Sequence, residues 1–395
     1  MSSSPYDVVI AGAGLVGLAL ATALAHAGLR IALVDRARIA VPDADPAEWD
    51  SRVYAVSPGS ARFLHALGAW QALPPSRINA IEAMHVVGDA GAKLDFSAYD
   101  LNERALAWIV EERALRAALL PRVLAAGVEV LSEVPFVGLS WTPDEAQMTV
   151  GSPGGTPHVL RARLIVGADG IRSWVRAAAG IVAEPRGYGQ TAVVANFDCA
   201  NAHHGVARQW FLDDGGILAW LPLPGRRISM VWSAPEAVAE QLRELTPAAL
   251  AERVALAGGG ALGALTQITP PAIFPLSLLR LPTTVAHRLA LVGDAAHGIH
   301  PLAGQGMNLG LGDAEALADV LRDRGPVTDA GAPILLQRFA RRRAEPVLAM
   351  QTVTDGLARL FGPPTPWLKA LRNAGLAAVD RLPMVKRIMA QPALR

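Results

Sequence analysis

Cysteine is nearly missing from this chain of 395 residues: Cys199 stands alone, which excludes an intramolecular disulfide and any cysteine-held metal cluster. An excess of one charge is missing too. The 36 Lys and Arg residues balance 35 Asp and Glu, a net charge of +1, so the bulk of the chain offers no electrostatic argument for nucleic acid. Nor does any segment make a convincing membrane span. The nearest approach, residues 10–25, is interrupted by Gly12, Gly14 and Gly17 and runs on into His26 and Arg30. The hydrophobic fraction of 52% and the mean hydropathy of +0.29 come from Ala, Leu and Val spread through periodic segments. Met1-Ser-Ser-Ser-Pro5 has no basic stretch leading into an apolar core, so no secretory leader is expected, and with the lone cysteine this fits a reducing cytoplasm.

What is present begins with a nucleotide-binding pattern. Tyr6-Asp-Val-Val-Ile-Ala11 reads as a buried strand, Gly12-Ala-Gly-Leu-Val-Gly17 follows at once, and residues 18–28 carry helical apolar spacing up to a glycine suited to a C-cap. A second strand, Arg30-Ile-Ala-Leu-Val34, ends in Asp35. The order suits the chemistry. Gly12 makes the tight turn, Gly14 lets the backbone approach a pyrophosphate, Gly17 lets helix and strand pack closely, and Asp35 accepts from a ribose hydroxyl. An acid at this point, rather than a base, favours FAD or NAD over NADP.

A second constellation lies near the far end, in residues 288–313. The apolar run Leu289-Ala-Leu-Val292 stops at Gly293-Asp294, crosses a loop holding Pro301, and passes through Gly304-Gln-Gly306 into a helical pattern from Asp313. A strand, a loop and a helix start bring one carboxylate and several bare backbone N–H groups to a polar ligand. Two such sites so far apart suggest one long cofactor held at both ends. His297 and His300 raise a metal reading, but no third ligand accompanies them and both sit inside this loop motif.

Between these motifs the residues leave alternatives open. Arg52 either reaches a phosphate or flavin edge or is a solvated surface residue, and Arg113 is either a pyrophosphate partner or half of an intrahelical ion pair. Asp169-Gly170 ends another buried strand, with Ser173 and Arg176 in the first turn of the helix that follows. Segments 191–197, 206–212, 216–223 and 227–233 read as strands of an antiparallel sheet inserted in an α/β chain. Trp210, Trp220 and Trp232 on those strands line an apolar pocket in one reading and fill the core in the other.

Taken together, these residues resemble the flavoprotein aromatic hydroxylases of the p-hydroxybenzoate hydroxylase fold, class A monooxygenases, and within them the UbiH/UbiI/UbiF-type hydroxylases of ubiquinone biosynthesis. The general signatures are Gly12 to Gly17, Asp169-Gly170, and Gly293-Asp294 with Pro301 and Gly304-Gln-Gly306. The narrower match comprises Asp50-x-Arg52-x-x-Ala55-Val-Ser57, Trp108-Ile-Val-Glu-Glu-Arg113, Leu218-Ala-Trp-Leu-Pro-Leu223, His300-Pro-Leu-Ala-Gly-Gln-Gly-Met-Asn308 and Arg338-Phe-Ala-Arg-Arg-Arg343. Gly298 and Gly312 depart from it, standing where the family commonly shows Thr and Arg.

The resemblance implies an α/β fold: a Rossmann-like FAD-binding domain from residues 1–75, 100–180 and 286–345, an inserted β-sheet substrate domain from 76–99 and 181–285, and a C-terminal helical, basic amphipathic segment, 346–395. It implies that Gly12, Gly14, Gly17, Asp35 and Arg36 hold the ADP half of FAD, with Arg52, Arg113 and Asp169 approaching the cofactor. Asp294 would accept from the ribitol, and Gly304, Gly306, Met307 and Asn308 would aim backbone N–H groups at the flavin, where a helix start stabilises negative charge. Pro301 and His300 would flank the reacting ring as the catalytic pair, and no metal is implied. The implied reaction uses O2, with NAD(P)H as transient reductant or a protein donor in its place, to hydroxylate a prenylated phenol or benzoquinol through a flavin hydroperoxide. A soluble aromatic substrate and a non-catalytic FAD-containing scaffold in a biosynthetic complex are the alternatives. The tail mixes Lys369, Arg372, Arg381, Lys386, Arg387 and Arg395 with apolar residues, and is read either as a peripheral contact with the inner face of the plasma membrane or as a helix packed on the core.

Overall fold

The computed structural model describes residues 6–42, 48–152, 155–362 and 366–382, with Lys386 and Leu394 beyond them. The first layer is a sheet of eight strands. Its parallel part consists of β1 (Tyr6–Ala11), β2 (Ile31–Val34), β8 (Glu129–Leu131), β11 (Gly155–Gly167) and β19 (Leu289–Leu291), in the order β19-β11-β1-β2-β8. β1, β2 and β19 are short and almost wholly apolar because both faces are covered, as parallel strands require. β9 (Phe136–Trp141) and β10 (Ala146–Ser152) extend β11 as an antiparallel meander, and β18 (Val285–Ala286) closes the far edge.

Helix α1 (Leu15–His26) lies between this sheet and two helices, α3 (Glu112–Ala125) and α7 (Gly306–Arg322). That position explains why α1 is apolar nearly all round: eight of its residues, including Leu18, Leu20 and Leu24, are buried. Helix α8 (Pro333–Leu360) packs along α7, and α4 (Trp174–Ala178) follows β11.

The second unit is a mostly antiparallel sheet in the order β16-β12-β15-β14-β13-β5-β6. Its strands are β5 (Ala83–Val87), β6 (Lys93–Ser97), β12 (Arg186–Cys199), β13 (Val206–Phe211), β14 (Ile217–Leu223), β15 (Arg227–Pro235) and β16 (Leu265–Gln267), with β17 (Ala272–Leu278) paired to β12. One pairing departs from the antiparallel expectation, since β13 runs parallel to β5. Helices α5 (Glu236–Glu244) and α6 (Pro247–Ala257) cover one face of this sheet. A three-stranded sheet of β3 (Val53–Val56), β7 (Ala107–Glu111) and β4 (Ile78–Ile81) sits between the two units, with α2 (Pro58–Ala66) leading away from β3. The last helix, α9 (Pro366–Asp380), docks against β6.

Candidate flavin and substrate site

The parallel strands end together, and the polar motifs lie where they end. Ala11 is in register with Val34 and Gly167, and Gly167 with Leu291, so the turns after β1, β2, β11 and β19 meet along one carboxyl edge. Open α/β sheets bind ligands at that edge. Gly12 takes φ +110°, and a Cβ there would stand 2.3 Å from the carbonyl oxygen of Ala168. At Gly17 a Cβ would fall 1.9 Å from the carbonyl oxygen of Gly12. Gly14 is different, because a Cβ there meets nothing within 4 Å. Gly14 is also the N-cap of α1 and no side chain caps that helix, so the open space faces uncommitted backbone N–H groups that suit a phosphate. Asp35 steadies this loop by accepting from the amides of Ala13 (2.6 Å) and Ala37 (2.8 Å), with Arg36 exposed beside it.

The second polar group is Asp294. Among the described residues its carboxylate makes no hydrogen bond to protein, and solvent reaches it. The dense protein on its other sides nevertheless raises its carboxyl above the ordinary range, against His297 and Arg52, which lower it. An unpaired carboxylate that solvent reaches, beside dense protein, fits a polyol such as the ribitol of FAD. The loop then turns at Gly304 (φ +60°) into α7, whose N-cap Gln305 provides no side-chain cap. The two motifs also touch: a Cβ on Gly310 of α7 would lie 2.7 Å from Cγ2 of Val16 and 3.1 Å from Cα of Gly293. The residues present therefore fit a dinucleotide held at both ends.

A buried network fixes the second motif. Asp313 accepts from the amide of Gly293 (2.9 Å), from Nε2 of His297 (2.6 Å) and from Nε of Arg343 (2.6 Å), while Arg343 also donates to the carbonyl of Leu309 (2.9 Å). Burial works against this charge, yet His297 and Arg343 hold the Asp313 carboxyl below the usual range. The Arg343 guanidinium lies over Gly312, 3.1 Å from where a Cβ would stand, so the small residue makes room for it. Among the described residues no three His, Cys, Asp or Glu side chains are grouped to hold a metal, and His297 is committed to Asp313. The Asn308 side chain stitches α7 to β3, accepting from the Ser57 amide (3.0 Å) and donating to the Ala55 carbonyl (2.8 Å), while Met307 packs in the core.

Other sequence candidates have different neighbours from those expected. Asp169 caps α4: its carboxylate accepts from the Ser173 hydroxyl and from the amides of Trp174 (2.7 Å) and Val175 (3.1 Å). Arg176 from that helix donates to the Ala295 carbonyl (3.0 Å), tying the turn to the Asp294 loop, so this geometry makes Asp169 a brace. Arg113 pairs outside its own helix, with the Glu48 carboxylate (3.4 Å) and carbonyl (2.9 Å). Arg52 is half exposed, pairs with Glu112 at 3.0 Å and acts electrostatically on Asp294, which places it in the neighbourhood of that carboxylate.

The tryptophan pocket is corrected by the sheet's two faces. Trp210, Trp220 and Trp232 pack with Phe197, Met230, Leu242 and Leu250 in the layer beneath α5 and α6. They are core. The opposite face carries Phe211 and Ile217, which meet Leu302 of the 288–313 loop, and the same face presents the row Val194, Val231, Ala219 and Gln209. His300 is fully buried at the seam between the loop and β12, bonded through Nε2 to Gln190 (3.0 Å) and edge-on to the Tyr188 ring (4.9 Å between centroids). Gln190 and Tyr188 carry no local motif, and only the fold brings them across 110 residues to His300.

This architecture and cleft define a flavoprotein monooxygenase of the p-hydroxybenzoate hydroxylase fold. Residues 5–353 match the FAD-binding domain family, and the chain belongs to that family as an FAD-dependent enzyme. It is similar to ubiquinone hydroxylase UbiL of Rhodospirillum rubrum, at 35% identity over 395 residues covering 98% of this chain and 89% of that one. Likewise it is 35% identical over 390 residues to the 3-demethoxyubiquinol 3-hydroxylase of Escherichia coli K12, covering 98% of each. Among solved structures, PqsL of P. aeruginosa in complex with 2-aminobenzoylacetate superposes with a TM-score of 0.77 at 27% identity, over 94% of this chain and 99% of that one.

Proposed function

We propose that this enzyme hydroxylates the ring of a prenylated phenol or benzoquinol intermediate of ubiquinone biosynthesis, inserting one atom of O2. The observation that carries the reading is the junction at His300 and Pro301. There the Asp294 loop meets the cofactor-facing side of the substrate sheet, in a chain collinear with two ubiquinone hydroxylases. FAD would be held by Gly12, Gly14, Gly17 and Asp35 at one end and by Asp294 and the start of α7 at the other, and when bound it supplies the O2 activation. The protein's own part is to position the ring and keep water away: Val194, Ala219 and Val231 give the wall an apolar surface, and Pro301 with His300 borders the reacting edge. NAD(P)H is the transient reductant in this reading, since the sequence carries no second dinucleotide fingerprint.

Contact with the membrane and with other enzymes of the pathway is assigned to the C-terminal segment. One face of α9 is docked: Arg372 pairs with the buried Asp89, and Asn373 donates to Asp89 (2.7 Å). Its outward face leaves Trp367, Leu371 and the following Leu382 exposed, which suits an interfacial bilayer contact at the inner face of the plasma membrane. Arg387 and Arg395 lie outside the described residues, and no helix among the described residues is long and apolar enough to cross a membrane.

A test of the reaction is complementation. Expressed in bacterial strains each lacking one ring hydroxylase, the gene should restore ubiquinone in one of them, and mass spectrometry of the vanished intermediate identifies the C1, C5 or C6 position. Failure in every strain overturns the ubiquinone assignment. The likeness to PqsL favours a soluble aromatic as the second reading, and turnover indifferent to prenyl-chain length would select it.

A further inference from the structure

The inner face of α9 is fastened by an arginine that reaches past its carboxylate partner. Arg372 and Asp89, the latter in the turn between β5 and β6, have side chains 1% exposed, and the guanidinium bonds that carboxylate through Nε (3.2 Å) and Nη2. The turn is shaped for the helix: Asn373 accepts from the amides of Ala90 (3.2 Å) and Ala92 (3.3 Å), and a Cβ on Gly88 would fall 2.3 Å from its Oδ1. The remaining nitrogen of Arg372 points elsewhere. Nη1 donates to the carbonyl of Leu360 (2.8 Å) at the C-terminus of α8, where helix carbonyls lack intrahelical donors, and the guanidinium lies over the Phe361 ring, 5.3 Å from its centroid. Phe361 in turn is stacked on Phe211 of β13 (3.6 Å between centroids, 17° between planes), in the cluster that holds Ile217 and Leu302. A second line of contacts runs beside this one. A Cβ on Gly215 would lie 3.7 Å from the carbonyl carbon of Gly362, and the Gly215 carbonyl accepts from Gln190 (3.0 Å), which is bonded to His300 (3.0 Å). The two lines end on His300 and Leu302, the residues on either side of Pro301.

We propose that Arg372 is a positioning residue for the flavin site: by closing the end of α8 onto Phe361 it sets the places of Leu302 and His300, and with them the loop that receives FAD. The inference rests on the placement of FAD above, at Asp294 and the start of α7. Stacked rings and a buried guanidinium fork do not deform continuously, so a change at Arg372 is passed on to the residues packed beyond it. Lysine would not serve here. One ammonium cannot bond Asp89 and the Leu360 carbonyl through a planar fork and also lie flat over a ring. The opposite face of α9, with Trp367 and Leu371, takes no part in these contacts.

The test titrates apoenzyme with FAD well below its melting temperature, reading the dissociation constant from flavin fluorescence and the shape of the bound flavin's absorbance band. Arg372→Met and Phe361→Leu should each weaken FAD by roughly two-fold to thirty-fold and change that band, the range expected of residues acting on a site through packed neighbours. The double variant should be weaker than the worse single by less than about two-fold, because both changes cut the same line. Arg372→Lys, which keeps a charge opposite Asp89, should melt close to wild type and still bind FAD as poorly as Arg372→Met. Wild-type affinity and band shape in Arg372→Met and Phe361→Leu overturn the inference. So do effects that multiply in full in the double variant, and so does an Arg372→Lys that restores FAD binding. Where Arg372→Met does not fold, Phe361→Leu and Arg372→Lys decide by the same measures. Asp294→Ala, titrated alongside, separates the two levels: loss of FAD there, with the Arg372 and Phe361 variants unaffected, overturns this inference alone. FAD retained by Asp294→Ala overturns the placement of the cofactor and this inference with it.

Discussion

Replacing Asp313 by Ala removes the carboxylate on which three donors converge: the Gly293 amide at 2.9 Å, His297 at 2.6 Å and Arg343 at 2.6 Å. Asp313 is 1% exposed, so water does not replace what is lost, and the Arg343 side chain is left without its carboxylate. Breaking a buried ion pair from one side costs about 3–5 kcal/mol. With about 2.1 cal/mol/K of unfolding entropy per residue, 395 residues give about 0.8 kcal/mol per kelvin, so the melting temperature should fall by about 4–6 °C. The damage has an address: the Gly293 amide begins the turn that presents Asp294, so FAD retention should fall as well. The assay is thermal unfolding of holo- and apoenzyme, with flavin absorbance after gel filtration. Adding Arg343→Leu should recover part of the stability, because removing both charges avoids stranding one. The sign with pH follows from the depressed Asp313 carboxyl: its contribution is whole above the unfolded value near 3.9 and is lost as pH falls through the folded value. The gap between wild type and Asp313→Ala should therefore close in acid. A fall under about 1 °C with FAD retention unchanged would refute the reasoning.

The glycines should separate folding from cofactor binding. Gly17→Ala, whose Cβ would lie 1.9 Å from the Gly12 carbonyl oxygen, should unfold or abolish soluble expression, whereas Gly14→Ala should alter apoprotein melting by only a degree or so and weaken FAD at least ten-fold; equal loss of stability in both would contradict this. Asp294→Ala, in which no side-chain hydrogen bond among the described residues is broken, should yield stable but colourless enzyme, and a purified variant that stays yellow would remove Asp294 from the cofactor site. Substituting Ser for both Trp367 and Leu371, which are 68% and 60% exposed, should abolish co-sedimentation with anionic liposomes without lowering the melting temperature; undiminished binding would sink the membrane assignment.

The legible parts of this molecule are those in which neighbours in space are neighbours in sequence. Gly12 to Gly17 with Asp35, and Gly293-Asp294 with Gly304 to Asn308, are local turns between short elements, so their order along the chain already states their geometry. Strands 217–223 and 227–235 were readable for the same reason, from alternation and a Pro-Gly-Arg-Arg turn. Which way their tryptophans face was not. Both faces of that sheet are covered, so alternation divides the residues into two sets without saying which set meets α5 and α6 and which meets the flavin loop. The arginines were ambiguous because their partners lie elsewhere: Glu48 for Arg113, and Glu112 for Arg52, whose influence also reaches Asp294. Asp169 shows a further limit, since an Asp-Gly turn looks the same whether its carboxylate serves a ligand or caps the next helix.

The contact among Val16, Gly293 and Gly310 sets a rule for exchanging parts between this enzyme and its relatives. A chimera whose first thirty residues bring a side chain larger than Val16 sets it against an unchanged Gly293 and Gly310, where little space is left for an extra methylene. The amino-terminal segment and the segment from 288 to 313 are therefore one heritable cassette, although some 260 residues of other structure lie between them. The substrate sheet meets the same cassette through a seam of its own, Gln190 and Tyr188 against His300, so a traded sheet must bring residues that fit that loop.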